Sequence, residues 1–297
     1  MELTWVNKVR IAAVAALGIA IIGVLAWPLV APADPLLPVR VSTTSLSGTL
    51  LLLVLAFGIG FAGYFIAWPH GREIGILGVP LGLTIWAGRS GPMRALTQMY
   101  EQTPERAALV HSLRIEPLYW LLVVAAGFAG VLLAQRLRPS PKLPATDDSS
   151  EKPRSDSIYT NGAIALVVAA LVSLFFLGVF AQNPTMSRDV TAQPEVGQIL
   201  FAVAAAFGVA AFVVKRFLDL SYLWPAVTSA LVLALAQVTY YRAGTIQRFA
   251  ETCPAPFFPH SIFAILPVQL VALGTLGSVI GYWMAVRYDW WKKHETG

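Results

Sequence analysis

The sequence predicts an all-α, multi-pass membrane protein with about eight transmembrane helices, arranged as two parallel four-helix repeats. Its 297 residues are 57% hydrophobic and only 12% charged, whereas soluble domains carry about 25% charged residues. Apolar runs of about 20 residues, the length that crosses the hydrocarbon core as a helix, recur along the chain. A hydrophilic segment near the middle divides these runs four and four.

The apolar runs define the predicted spans. Seven are long enough to cross a bilayer, at residues 11–29, 46–68, 115–133, 163–180, 196–214, 223–240 and 262–286. An eighth run, 74–88, is short and contains Pro80, so it either crosses the bilayer, re-enters or lies at the interface. The first run follows basic residues as a signal peptide does, but its length near 20 residues favours a retained helix.

The distribution of Lys and Arg favours eight spans over seven. With eight spans and a cytoplasmic N-terminus, the cytoplasmic segments hold 13 of these residues and the outer segments hold 8. With seven spans the same count gives 10 inside and 11 outside. Cytoplasmic loops carry the excess of positive charge, so both termini are predicted to be cytoplasmic in a cell-membrane protein.

Residues 139–158 are rich in Pro, Ser, Lys and Asp and contain no apolar run. This composition predicts a hydrophilic cytoplasmic linker between a first transmembrane half, 1–138, and a second, 159–297. The halves share a layout, since a shift of 150 residues places Glu101 on Glu251, Pro117 on Pro267 and Gly127 on Gly277. Common order and offset indicate a duplication. Four spans per half would give both halves the same orientation.

The predicted spans hold no Asp, Glu, Lys, Arg or His near their middles. Ion-coupled transporters and proton pumps place ionisable groups at membrane depth, and intramembrane haem needs facing His or Met ligands. We therefore predict no catalytic residue and no cofactor within the spans. Their mildly polar residues favour helix-to-helix hydrogen bonding. These are Thr84, Tyr119, Ser173, Thr228, Ser229, Gln237, Thr239, Gln269 and Ser278.

The two long outer loops, 89–114 and 241–261, contain the chain's candidate metal ligands. Glu101, His111, Glu251 and His260 could together supply two imidazoles and two carboxylates, a set that suits Zn²⁺ or another divalent ion. Their spacing matches no recognised ligand motif. The alternative is that the histidines lie at the interface and the glutamates pair with Arg94 and Arg248, as exposed salt bridges of small energy.

Three functions remain open at this stage. The scarcity of catalytic groups favours a non-enzymatic structural, assembly or interaction component of a membrane. The layout of two halves also fits a transporter of a neutral or lipidic small molecule through the seam between them, and the outer-loop ligands fit an outer-face metal-dependent enzyme. The predicted partners are the lipid bilayer and a protein partner or a second copy. Nucleic acid is excluded because the basic residues behind the +5 charge flank apolar runs.

Overall fold

The computed structural model describes residues 4–30, 46–93, 104–105, 109, 113, 116–139, 155–181, 194–240 and 261–295. These ranges are helical and contain no β-strand, which confirms the all-α prediction. The helices are α1 (Trp5–Gly18, continued by a π-helix at Ile19–Leu25), α2 (Trp27–Val30), α3 (Leu46–Ile66), α4 (Gly71–Ile74, followed by a 3₁₀ turn at Gly75–Leu77), α5 (Gly78–Arg89), α6 (Glu116–Leu137), α7 (Ser155–Phe180), α8 (Val196–Leu218), α9 (Leu223–Tyr240) and α10 (Pro267–Glu295, preceded by a 3₁₀ turn at Ser261–Ala264).

Six helices within the described ranges are long and apolar enough to cross a membrane. They cover Trp5–Leu25, Leu46–Ile66, Glu116–Leu137, Thr160–Phe180, Val196–Leu218 and Pro267–Lys292. This number fits the prediction of a multi-pass membrane protein. The predicted span 74–88 corresponds to α5, which has 12 residues, and the predicted span 223–240 corresponds to α9, which has 18.

Prolines lie in the first turns of several helices. Pro80 in α5, Pro117 in α6 and Pro225 in α9 each occupy the second or third helical position, and Pro267 begins α10. The first N–H groups of a helix have no acceptor within it, so a proline there removes no helical hydrogen bond. Pro80 therefore does not interrupt an apolar helix: it follows the 3₁₀ turn at which α4 gives way to α5.

The first helix group consists of α1, α3, α5 and α6. Helices α3 and α6 run in the same direction, since Gly60 packs against Gly127 midway along them and the Tyr64 hydroxyl donates to the Arg138 carbonyl oxygen (2.6 Å) at their C-terminal ends. Gly60 is required at that crossing, because a Cβ there would overlap the Gly127 carbonyl oxygen. Helices α1 and α5 are likewise parallel.

The second helix group consists of α7, α8, α9 and α10. Helices α8 and α10 run parallel: Gly208 packs against Gly281 in the middle, and Arg216 Nε lies 3.6 Å from Asp289 Oδ1 nearer their C-terminal ends. Helix α8 ends at Asp219, whose left-handed backbone (φ 51°) leads into the short turn before α9. Helix α9 then runs antiparallel to α10.

Exposed apolar side chains cover the outside of the bundle, and small residues lie at several of its helix contacts. Val54, Leu171, Phe175 and Phe201 are each more than 60% exposed, as expected for side chains that face lipid. The face of α8 that meets its neighbours is built from buried alanines, at Ala202, Ala206 and Ala210. Small residues allow the close backbone approach on which helix packing in membranes depends.

Candidate functional site

The seam between the two helix groups is formed by α5 and α6 on one side and by α9 and α10 on the other. It is the place at which a small molecule would pass if the halves acted as a carrier. We refer to its two ends by the residues found there, the Trp86 end and the Tyr282 end. Helix α5 runs from the Tyr282 end to the Trp86 end, and α10 runs in the opposite direction.

The described length of the seam is apolar and buried. Towards the Trp86 end, Leu83 and Val123 of the first group share one cluster with Ala230, Val271 and Ala272 of the second. All five are fully buried. Towards the Tyr282 end, Ile76 and Leu77 are packed in a second cluster with Tyr222 and Val279. Apolar contact therefore continues across the seam from one end to the other.

Gln269 joins the two groups at the Trp86 end. Its Nε2 donates to the carbonyl oxygens of Ala87 (3.2 Å) and Gly91 (3.1 Å), and its Oε1 accepts from the Leu266 N–H (3.0 Å). The last carbonyls of a helix have no partner within it, and α5 ends two residues before Gly91, whose φ is 66°. Gln269 thus satisfies the C-terminal end of α5 from the first turn of α10.

Three buried hydroxyls of α9 and α10 donate to carbonyl oxygens of their own helices, whereas the buried Thr275 hydroxyl of α10 has no hydrogen-bond partner among the described residues. Thr228 donates to Trp224 (2.9 Å), Ser229 to Ala226 (2.6 Å) and Ser278 to Gly274 (2.6 Å). This three- or four-residue bonding is the usual local solution for Ser and Thr within a helix. Thr228, Ser229 and Ser278 therefore use their hydrogen bonds locally, rather than as the lining of a pathway. The predicted interhelical role is found for Gln269 instead.

Near the Trp86 end, a π-helix and three tryptophans pack together within the first helix group. The indole N–H of Trp86 donates to the Ile22 carbonyl oxygen (2.7 Å), and Arg89 Nη1 lies 3.1 Å from the Gly23 carbonyl oxygen. Both acceptors belong to the π-helical segment, where the α-helical hydrogen-bond pattern is interrupted. Trp86 also meets Trp27 and Trp120 edge to face, with ring centroids 5.2 and 5.6 Å apart. The arrangement fixes α1, α5 and α6 to one another.

The Tyr282 end combines aromatic rings with charged residues. The rings of Tyr222 and Tyr282 meet edge to face at 5.3 Å, and Lys215 Nζ lies 5.3 Å from the centre of the Tyr282 ring. Burial raises the pKa of the Tyr222 hydroxyl to about 12, with nearby Arg72 opposing the rise. Tyr222 therefore remains a neutral, packed phenol at physiological pH.

The predicted metal ligands Glu101, His111, Glu251 and His260 lie outside the described residues, as do Arg94 and Arg248. The metal site therefore stays a prediction. Within the described ranges, no group of three or more His, Cys, Asp or Glu side chains is placed to hold a metal ion.

Glu116 was not recognised as a candidate from the sequence. It is 3% exposed in the first turn of α6, where the helix dipole favours a carboxylate. The signal that could have drawn attention to it is the pair Glu116-Pro117 at the start of an apolar run.

No protein-family model matches the chain, and neither a curated protein nor a solved structure is significantly similar to it.

Proposed function

We propose that the chain is a non-enzymatic membrane component with a structural, assembly or interaction role. The observation that carries the proposal is the closed seam, in which buried apolar residues of both groups share one core. A carrier needs a site near the middle of the bilayer lined by polar or unwound backbone groups. In the described seam, Ser229, Gln269 and Ser278 are instead committed to backbone partners.

The proposal includes eight spans with both termini in the cytoplasm of a cell-membrane protein. Helices α3 and α6 are parallel, so the chain between them has to return from one end of the bundle to the other. The run Gly71–Arg89 extends in that direction, from Tyr64, against which Gly71 packs, to Trp120, which Trp86 contacts. Its α, 3₁₀ and α segments together measure about 30 Å, close to the thickness of the hydrocarbon core.

The proposal also includes a parallel repeat of four helices. In each group the second and fourth helices run parallel and meet at glycines, Gly60 with Gly127 and Gly208 with Gly281. In each group the third helix is antiparallel to the fourth, and the pairs Val79–Gly127 and Ser229–Gly274 lie at equivalent crossings. This agreement in helix order and direction supports a duplication more strongly than residue identity does.

Thiol accessibility in native membranes tests whether the seam is closed. Single cysteines are introduced as Ala230→Cys or Ala272→Cys in a Cys253→Ser background, with Arg136→Cys at the exposed end of α6 as the control. We expect a charged, membrane-impermeant thiol reagent to label the control at least 100-fold faster than either seam position. Rapid labelling of a seam position from one side would favour a carrier and would contradict the proposal.

Two further measurements test the remaining parts of the proposal. Reporter fusions after Gly71 and after Arg94 should lie on opposite sides of the membrane if the third segment crosses it, and on the same side if it does not. After cross-linking in native membranes, an assembly component should run in a defined complex larger than its own 32.0 kDa. Recovery of the cross-linked chain purely as a monomer would count against an assembly or interaction role.

A further inference from the structure

A lateral cavity lies at the Tyr282 end, between α1, the short helix α4 and residues 280–287 of α10. Its volume is about 240 Å³. Most of its wall is apolar, from residues that include Ile11, Ile280 and Val286, and two residues of opposite charge, Glu73 and Arg287, complete the lining. Three of its lining residues, Ile11, Tyr282 and Trp283, also pack against the apolar cluster at the Tyr282 end of the seam, so the cavity lies at the edge of the junction between the groups.

The polar groups of the cavity lack partners within the described part of the chain. Among the described residues, the ion pairs are Lys215 with Asp219 and Arg216 with Asp289. Neither pair involves Glu73 or Arg287. A carboxylate and a guanidinium thus line the cavity together, and neither has an ion-pair partner among the described residues.

The cavity opens towards the lipid. Ile280 and Met284 form its outer edge on α10, and their side chains are 42% and 60% exposed. Both belong to Pro267–Lys292, one of the helices that are apolar enough to cross a membrane. Aromatic and basic residues follow at Trp290, Trp291 and Lys292, as is typical of the membrane–water interface. The charged end of the cavity therefore lies at headgroup level and its apolar edge at acyl-chain level.

We propose that this cavity binds a bilayer phospholipid with an ethanolamine headgroup. The ammonium group would donate to the Glu73 carboxylate, while the phosphate would accept from the Arg287 guanidinium. Charge-assisted hydrogen bonds of this kind are the stronger ones in proteins. The start of an acyl chain would lie along Ile280 and Met284.

The same chemistry disfavours the other common headgroups. A choline headgroup has the same charges but no N–H to donate to Glu73. A glycerol headgroup leaves the lipid with a net negative charge, and it brings no cation to the Glu73 carboxylate. Glu73 therefore determines the preference for ethanolamine, and Arg287 contributes to the binding of any phospholipid.

Lipid titration of the full-length protein in detergent tests this proposal. Phosphatidylethanolamine, phosphatidylcholine and phosphatidylglycerol with identical acyl chains are added, and bound lipid is counted by native mass spectrometry. We expect phosphatidylethanolamine to bind the unmodified protein about tenfold more tightly than the other two, the order of one charge-assisted hydrogen bond. This comparison requires no variant, so it does not depend on the folding of one.

Variants then locate the site. Glu73→Gln should remove the headgroup preference, and Arg287→Gln should weaken all three lipids about tenfold. The matched controls are Glu195→Gln, before the first residue of α8, and Arg136→Gln, near the end of α6, which make the same chemical changes away from the cavity and should alter neither result. Equal binding of the three lipids, a preference for phosphatidylglycerol, or an unchanged preference in Glu73→Gln would overturn the proposal.

Discussion

Replacing Gln269 by methionine tests whether the two helix groups are joined by hydrogen bonds at the Trp86 end. Methionine has nearly the same length but removes two donated bonds, to Ala87 and Gly91, and one accepted bond, from Leu266. Hydrogen bonds within membrane helix bundles contribute about 0.6–1.7 kcal/mol each. Gln269 is fully buried, so water cannot replace them, and the free energy of unfolding should fall by about 2–5 kcal/mol.

The measurement is unfolding by sodium dodecyl sulfate in mixed micelles, followed by circular dichroism and tryptophan fluorescence. The matched control is Ser278→Ala on the same helix. Ser278 is equally buried, but its hydroxyl bonds to Gly274 within α10, so its loss should cost less than about 1 kcal/mol. If the two variants lose the same stability, Gln269 does not join the groups as the geometry indicates.

Three further predictions use the same unfolding assay. Gly281→Ala should destabilise the protein by about 2 kcal/mol or more because its Cβ would overlap the Gly208 carbonyl oxygen. The control Gly178→Ala, with open space around it, should be neutral or stabilise the protein by up to about 1 kcal/mol. Equal effects of the two substitutions would refute the close crossing of α8 and α10. Trp86→Phe should cost about 1–3 kcal/mol, since it leaves the Ile22 carbonyl without its donor; an unchanged stability would contradict that bond. Because the pKa of Tyr222 is raised from 10.0 to about 12, folding favours its protonated form, so stability should fall as pH rises from 10 towards 12. Tyr222→Phe should lose less stability over that range, and identical alkaline profiles would count against a buried phenol.

The all-helical fold and the several long apolar helices were predictable because the bilayer imposes length and apolarity on each segment. The way in which the helices pack against one another was less predictable. The run around Pro80 was ambiguous in the sequence, since a short apolar stretch with a proline fits a span, a re-entrant segment or an interfacial helix. Its proline proves to lie in the first turn of α5, where no helical hydrogen bond is lost. Sequence patterns locate such a helix start poorly when another helical segment precedes it.

The polar residues show where prediction from the sequence ends. The sequence predicts a common role in joining helices for nine mildly polar span residues. The hydrogen bonds that they form within the described ranges are instead of different kinds. Ser229 and Ser278 bond within their own helices, while Gln269 reaches a neighbouring one. The difference is one of reach. Here the serine hydroxyls bond the carbonyl three or four residues earlier in their own helix, whereas the longer glutamine amide reaches the end of another helix.

The proposed duplication rests on helix relationships that residue identity alone would hide. A shift of 150 residues maps Gly127 onto Gly277, yet the glycine that Gly208 packs against is Gly281. A lipid-facing position requires only an apolar side chain, so identities there can be lost without cost to the fold. A helix crossing requires a small residue somewhere within a turn, and that residue can move by one turn while the two helices remain parallel. A duplicated pair of helices can therefore keep its direction and crossing order after most identities have been lost, as the proposed duplication requires.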